Sequence, residues 1–358
     1  MSKTPIDNNP LLAAGLPRFD AIKPEHAEPA LNQRLSDYQA LIEQLTEPGR
    51  APDYTELVEG EALADAAVSD CWSTISHLHS VCNTPDWREA YGRCLEHLTA
   101  FHTERGQNRQ LYEAYRQLAE RDDFSEQTAA IQATVRHELQ AFELSGVGLD
   151  GGARKRFAQT SLRLSALGNQ FGNHVLDATE GFEVFFDNEG ALSGLPEDEL
   201  ALLAEMARQK DREGWLANLS YPAYRAIVTY ADDRALRERF YRANTSRASD
   251  TGPQAGRFDN TPVVAEMLRL RQEQAELLAF DSHAAVKLST RMADNTEQVE
   301  HFLQDLAQRA RPQAVSELET LSEFAAGQGA ALPLAPWDIA YYSEKLRQAT
   351  LGLSEETL

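Results

Sequence analysis

The stretch Phe240-Tyr-Arg-Ala-Asn-Thr-Ser-Arg-Ala-Ser-Asp-Thr-Gly-Pro-Gln-Ala-Gly-Arg-Phe-Asp-Asn260 is polar, punctuated by glycine, and flanked on both sides by apolar residues at helical spacing. A helix runs into it from Asp232 to about Ala248, and Thr261-Pro262 begins the next, through Val264, Met267, Leu268 and Leu270. That helix, loop, helix pattern extends in both directions. The fold class it implies is all-α, with short strands or a hairpin only near residues 182–219, where Phe182, Val184 and Phe186 alternate with Glu183 and Phe185. The stretch also runs against the charge of the chain. From Arg234 to Arg257 six arginines face only Glu238 and Asp250, whereas the whole sequence carries a net charge of -22.

The totals narrow the function classes. A chain of 358 residues with 42% apolar and 25% charged residues is globular and long enough for two domains. With 56 acids against 34 bases it lacks the basic footprint that nucleic acid or an anionic membrane requires, so neither is an expected partner. Cys71, Cys82 and Cys94 are odd in number and lack zinc or redox spacing, so all three are expected as buried thiols in a reducing compartment. The N-terminus lacks a signal-peptide core, and a cytoplasmic protein is expected.

Helices follow one another along the chain. Pro29 is expected to delay the first until about Glu28, and Pro48-Gly49 stops it. Asp53 with Glu56 makes a capping box for a second helix through Leu63, Val68, Cys71 and Cys82, and Thr84-Pro85 starts a third. Segments 107–121 and 125–145 follow, with a long pattern from Asp150 to about Thr179. Pro196 opens another helix, Trp215 to Leu219 reads as a second strand, and Asp294 with Glu297 caps a long helix that Pro312 should kink. In the last, beginning near Trp337, Trp337 and Tyr341 share one face while Ile339, Tyr342 and Leu346 share another, so it needs neighbours on two sides. The expected division is a helical domain over 1–150, a linking segment with the β insertion over 151–220, and a third part over 221–358.

Candidate chemistry is sparse. His137-Glu138 is the lone His-Glu dipeptide and position 141 is alanine, so the two-histidine zinc helix motif fails. His77 and His79 lie on different faces of a helix, and Cys82, Cys94, His97 and His102 read as helix-packing residues. Acid pairs Asp122-Asp123, Asp232-Asp233 and Glu355-Glu356 read as solvated helix ends. No catalytic or metal-binding residue is assigned. Arg242 and Arg247 are the candidate substrate-binding residues, since guanidinium suits planar capture of a peptide carboxylate. Pairing of the arginines with the chain's own carboxylates is the competing reading, because ion-pair networks imitate sites.

Nine ordered runs carry a family resemblance. They are Asn9-Pro-Leu-Leu12, Ile22-Lys-Pro-Glu-His26 with Pro29-Ala30, Ser76-His-Leu-His-Ser80, Arg88-Glu-Ala-Tyr91, Phe142-Glu-Leu-Ser-Gly146, Leu167-Gly-Asn-Gln170, Asn173-His-Val-Leu-Asp-Ala-Thr179, Tyr241 to Asn260, and Pro336-Trp-Asp-Ile-Ala-Tyr-Tyr-Ser-Glu-Lys345. The sequence resembles the N-terminal half of the thimet oligopeptidase family of zinc metallopeptidases. The resemblance implies the helical half of a two-part, clam-shaped peptidase for short unfolded peptides, including degradation fragments and cleaved signal peptides. It also implies zinc held by a His-Glu-x-x-His helix and a downstream glutamate, none of which occurs in this sequence. The chain is therefore expected to be a fragment truncated before the zinc motif, one wall of the substrate channel, inactive and zinc-free alone, with the missing C-terminal half as its partner. Its unpaired aromatic faces around Trp337, Tyr341 and Tyr342 are expected to be exposed. A complete, non-catalytic helical peptide-binding or scaffold protein is the alternative.

Overall fold

The computed structural model describes residues 8–352, so the acid pair Glu355-Glu356 lies outside the described residues. The chain is mainly helical and forms two compact units, one from residues 1–169 with 267–290, the other from 170–266 with 291–358. Among the described residues, no helix is long and apolar enough to cross a membrane.

The first unit is built on α1 (Pro24–Leu45), α2 (Gly60–Cys82), α3 (Pro85–Gly106), α4 (Arg109–Ala119) and α5 (Ala129–Leu144). Leu31, Ile42, Ile75, Leu111, Leu118 and Phe142 are fully buried in one core. Helix α1 starts at Pro24, not at Glu28, and carries Pro29 inside it. Pro29 removes one bond to the first turn, but Ala27, Ala30 and Leu31 are buried, His26 Nδ1 accepts the Lys23 N–H, and Asn9 Nδ2 donates to the His26 carbonyl. Packing and side-chain bonds thus replace what the proline removes. The Asp53 cap forms, its carboxylate accepting from the Thr55 and Glu56 N–H groups, but the first turn is a π-helix, Thr55–Glu59. Leu63 and Cys82, expected inside, face solvent on α2, while Cys71 and Cys94 are buried.

The long helix α6 (Gly151–Glu180) leads to β1 (Val184–Phe186). The partner of β1 is not a hairpin neighbour but β2 (Trp215–Ala217), antiparallel, with Val184 opposite Ala217; α7 (Glu197–Arg208) lies between them in sequence. Helices α8 (Tyr221–Tyr230) and α9 (Arg234–Thr245) complete a core of Phe182, Leu203, Leu219, Ile227 and Phe240. Beyond the glycine-rich loop come α10 (Thr261–Leu277), the unforeseen short α11 (His283–Leu288), α12 (Thr296–Gly327) and α13 (Pro336–Leu351). Asn295, not Asp294, caps α12, its side chain accepting the Gln298 N–H while Asp294 donates its own N–H to the Gln298 side chain. The helix continues through Pro312. On α13 Tyr341, expected to be exposed, is buried, while Trp337 and Tyr342 are half-buried.

Candidate functional site

The arginine-rich segment folds as α9 and the loop after it, and four of its six arginines have polar partners within the chain. Arg237 is among the most buried side chains of the chain, 1% exposed, as is Asp338 in the first turn of α13. Arg237 Nη2 donates to Asp338 Oδ1 at 3.0 Å, Nη1 to the Ala231 and Asp232 carbonyls, and Nε to the Trp337 carbonyl. A cation thus closes the carbonyl end of α8 while its anion sits at the amide end of α13, each where the helix dipole favours it. Arg234 adds a two-pronged contact to the same carboxylate, at 3.0 Å from Nε and 2.9 Å from Nη2, and the Ala335 N–H is a further donor. Burial pushes the Asp338 carboxyl up, but the bonds from Arg234, Ala335 and Arg237 outweigh it and hold the group below the ordinary carboxylate range. A carboxylate so saturated with donors has no lone pair for a substrate proton. It is a clasp, not a general base.

Asp232, expected as a solvated helix end, extends this network: it accepts the Tyr341 hydroxyl at 2.7 Å and the Ser193 hydroxyl at 2.9 Å, and the Tyr341 bond lowers its pKa. Asp233 does sit at a helix end, capping α9 through the Ala235 and Leu236 N–H groups. Arg237 also lies over the Tyr341 ring, 3.9 Å from its centroid.

The two arginines singled out from sequence are placed differently from each other. Arg242 is exposed, pairs with Glu238 one turn back at 2.7 Å, and has its guanidinium 4.9 Å from the centre of the Trp337 ring. Arg247 is held inward, donating from Nη1 to Thr179 Oγ1 at 3.0 Å and from Nε to the Asn244 carbonyl. The loop closes on Gly252, whose φ of +84° and contact with Ser246 leave no room for a Cβ. It is anchored by Asn260, buried, which bonds His174 Nδ1 at 2.8 Å and the Phe171 carbonyl at 3.1 Å.

In the first unit, sequence reading passed over a second buried ion cluster. Glu61, 2% exposed, accepts from Tyr38 at 3.0 Å, Tyr115 at 2.7 Å, and Arg105 through both oxygens; Arg105 also reaches Glu138 at 2.8 Å. Burial pushes both tyrosine hydroxyls up, so they remain donors. The remaining candidates disperse. His77 is exposed against Phe19, His79 stacks on Tyr91 at 4.1 Å, and His97 bonds Asn32 at 2.7 Å. Among the described residues, no group of three or more His, Cys, Asp or Glu side chains is placed to hold a metal ion. A surface groove of about 500 Å³ between α3 and α6 is lined by Gly92, Leu95, Leu162, Ser165 and Ala166, with Glu96 and Arg163 at its sides.

Two family models match this sequence: "Neurolysin/Thimet oligopeptidase, N-terminal domain" over residues 31–154, and "Peptidase family M3" over residues 227–358. Oligopeptidase A of Salmonella typhimurium is 45% identical over 351 residues, covering 98% of this chain and 52% of the relative. Oligopeptidase A of Escherichia coli is 43% identical over the same length, with the same coverage. The probable cytosolic oligopeptidase A of Arabidopsis thaliana is 34% identical over 367 residues, covering 100% of this chain and 51% of the relative. The chain spans about half the length of these curated relatives.

Proposed function

From the premise that this chain belongs to peptidase family M3, we propose that it is the helical N-terminal half of a zinc-dependent oligopeptidase cleaving short peptides in the cytoplasm. The observation that carries this reading is the 45% identity with a bacterial oligopeptidase A across 98% of the chain. Zinc supplies the activated water in such an enzyme. The described residues do not fit that ion, since they bring no ligand group together, so its ligands are assigned to the other half of the longer protein. What this half contributes is steric and electrostatic: a rigid helical wall of a channel that admits unfolded short peptides and excludes folded chains. Of the two candidate arginines, Arg242 is the one whose exposed guanidinium can reach a peptide carboxylate; Arg247 is held by Thr179 and braces the loop.

The test is reconstitution. The chain alone should cleave no fluorogenic peptide, and co-expression with the remaining half of the Salmonella relative should restore cleavage that a chelator abolishes. Chelator-sensitive hydrolysis by the chain alone, or none by the reconstituted pair, would overturn the reading.

A further inference from the structure

Helix α12 offers a face that its own unit leaves bare. Every residue from 306 to 320 is exposed, roughly 22 Å of helix at 1.5 Å per residue. An isolated helix of this length is marginal in water, and stability comes from packing an apolar face. Such a face is present. Val299, Phe302, Leu303, Leu306, Ala310 and Ala314 fall on one side at helical spacing, and Phe302, Leu303 and Leu306 are 65%, 55% and 54% exposed. The stripe runs into a groove of about 600 Å³ between α12 and α13, lined by Leu318, Leu321, Ile339, Leu346 and Leu351. Ile339 and Leu346 belong to the second apolar side of α13, which is therefore only half covered. Contiguous exposed apolar surface on this scale marks an interaction site.

We infer that the α12 stripe and the α12–α13 groove form the seat of the part of the longer peptidase chain that these residues do not include. This rests on the proposed function. The occupant follows from two observations: the peptidase family model matches this unit from residue 227 onward, and the relatives are about twice as long as the chain. Additional length of that kind needs a surface to pack on, and α12 with α13 presents an apolar one.

The test is capture of the co-expressed, tagged remainder of the Salmonella relative by the full chain, compared between wild type, Leu306→Asp and Leu318→Asp. Leu63→Asp, at an exposed leucine of α2, is the control. Circular dichroism and melting of each chain alone should match wild type, because the altered side chains already face water. The expected result is a one-to-one complex with wild type and with Leu63→Asp, weakened at least tenfold by either α12 substitution, with chelator-sensitive cleavage lost in proportion. An active complex formed equally well by the α12 variants overturns the seat while leaving the proposed function standing. Absence of any complex with wild type overturns both. Concentration-dependent pairing of the chain with itself, abolished by Leu318→Asp while capture is unchanged, assigns the face to a second copy and overturns the inference.

Discussion

Arg237 and Asp338 stand 101 positions apart in sequence and meet at 3.0 Å in the core of the second unit, each 1% exposed. The pair joins the end of α8 to the start of α13, so the packing of the last helix depends on it. Removing one partner strands the other charge in a buried site, which costs far more than the pair contributes over an apolar isostere.

Asp338→Asn is expected to destabilise the second unit by about 3–5 kcal/mol, read as a fall in the urea midpoint. Arg234→Ala removes a cation whose side chain is 48% exposed and should cost about 1 kcal/mol or less. Equal costs for the two would show that the network is not centred on Arg237.

Acid should act through the same carboxylate. Its folded pKa lies below the ordinary aspartate value of about 4, so its stabilisation is complete above that pH and is lost as pH falls toward the folded value. Below about pH 4 wild type should therefore lose stability more steeply than Asp338→Asn, which shows a shallower decline. Identical pH profiles would contradict the assignment.

Thiol reactivity should separate the cysteines. Burial pushes Cys71 to about 11 and Cys94 to about 12, whereas Cys82 is exposed. Ellman's reagent at about pH 8 should label one thiol quickly in native protein and three in denaturant, and Cys82→Ser should abolish the fast phase. Fast labelling of two thiols would place Cys71 or Cys94 at the surface.

Two glycines of the loop give a matched comparison. Gly252 and Gly256 both have positive φ, at +84° and +73°, but an added Cβ would overlap Ser246 only at Gly252. Each alanine substitution should cost about 1–2 kcal/mol from the left-handed backbone. Gly252→Ala should cost measurably more, in a thermal melt, through the overlap.

Local signals in the sequence transferred well where one residue's chemistry decides the outcome. Thr84 caps α3 by accepting the Trp87 N–H, the Asp53 cap forms, and α10 begins at Thr261. They failed where a distant partner overrides a local rule, as at Pro29, whose turn is held by Asn9 and by buried alanines. The intramolecular reading of the arginines was available, but the partner was not: Asp338 lies in another element, and an acid in the first turn of a helix looks like a routine dipole match. Glu61 was invisible for the same reason, its charge being balanced from α3 and its hydrogen bonds completed from α1 and α4.

The core of the second unit is drawn from residues 182–243, a continuous run of about sixty, and is closed by a helix made much later. In a chain synthesised from its N-terminus, that run emerges and can collapse while Arg237 still lacks its counter-ion. The guanidinium must then stay hydrated at the open end of α8, keeping the nascent core loose on that side. Docking of α13 brings Asp338 to the guanidinium and buries the two charges together. The last helix to be made thus supplies the counter-ion of a charge that the earlier run already carries.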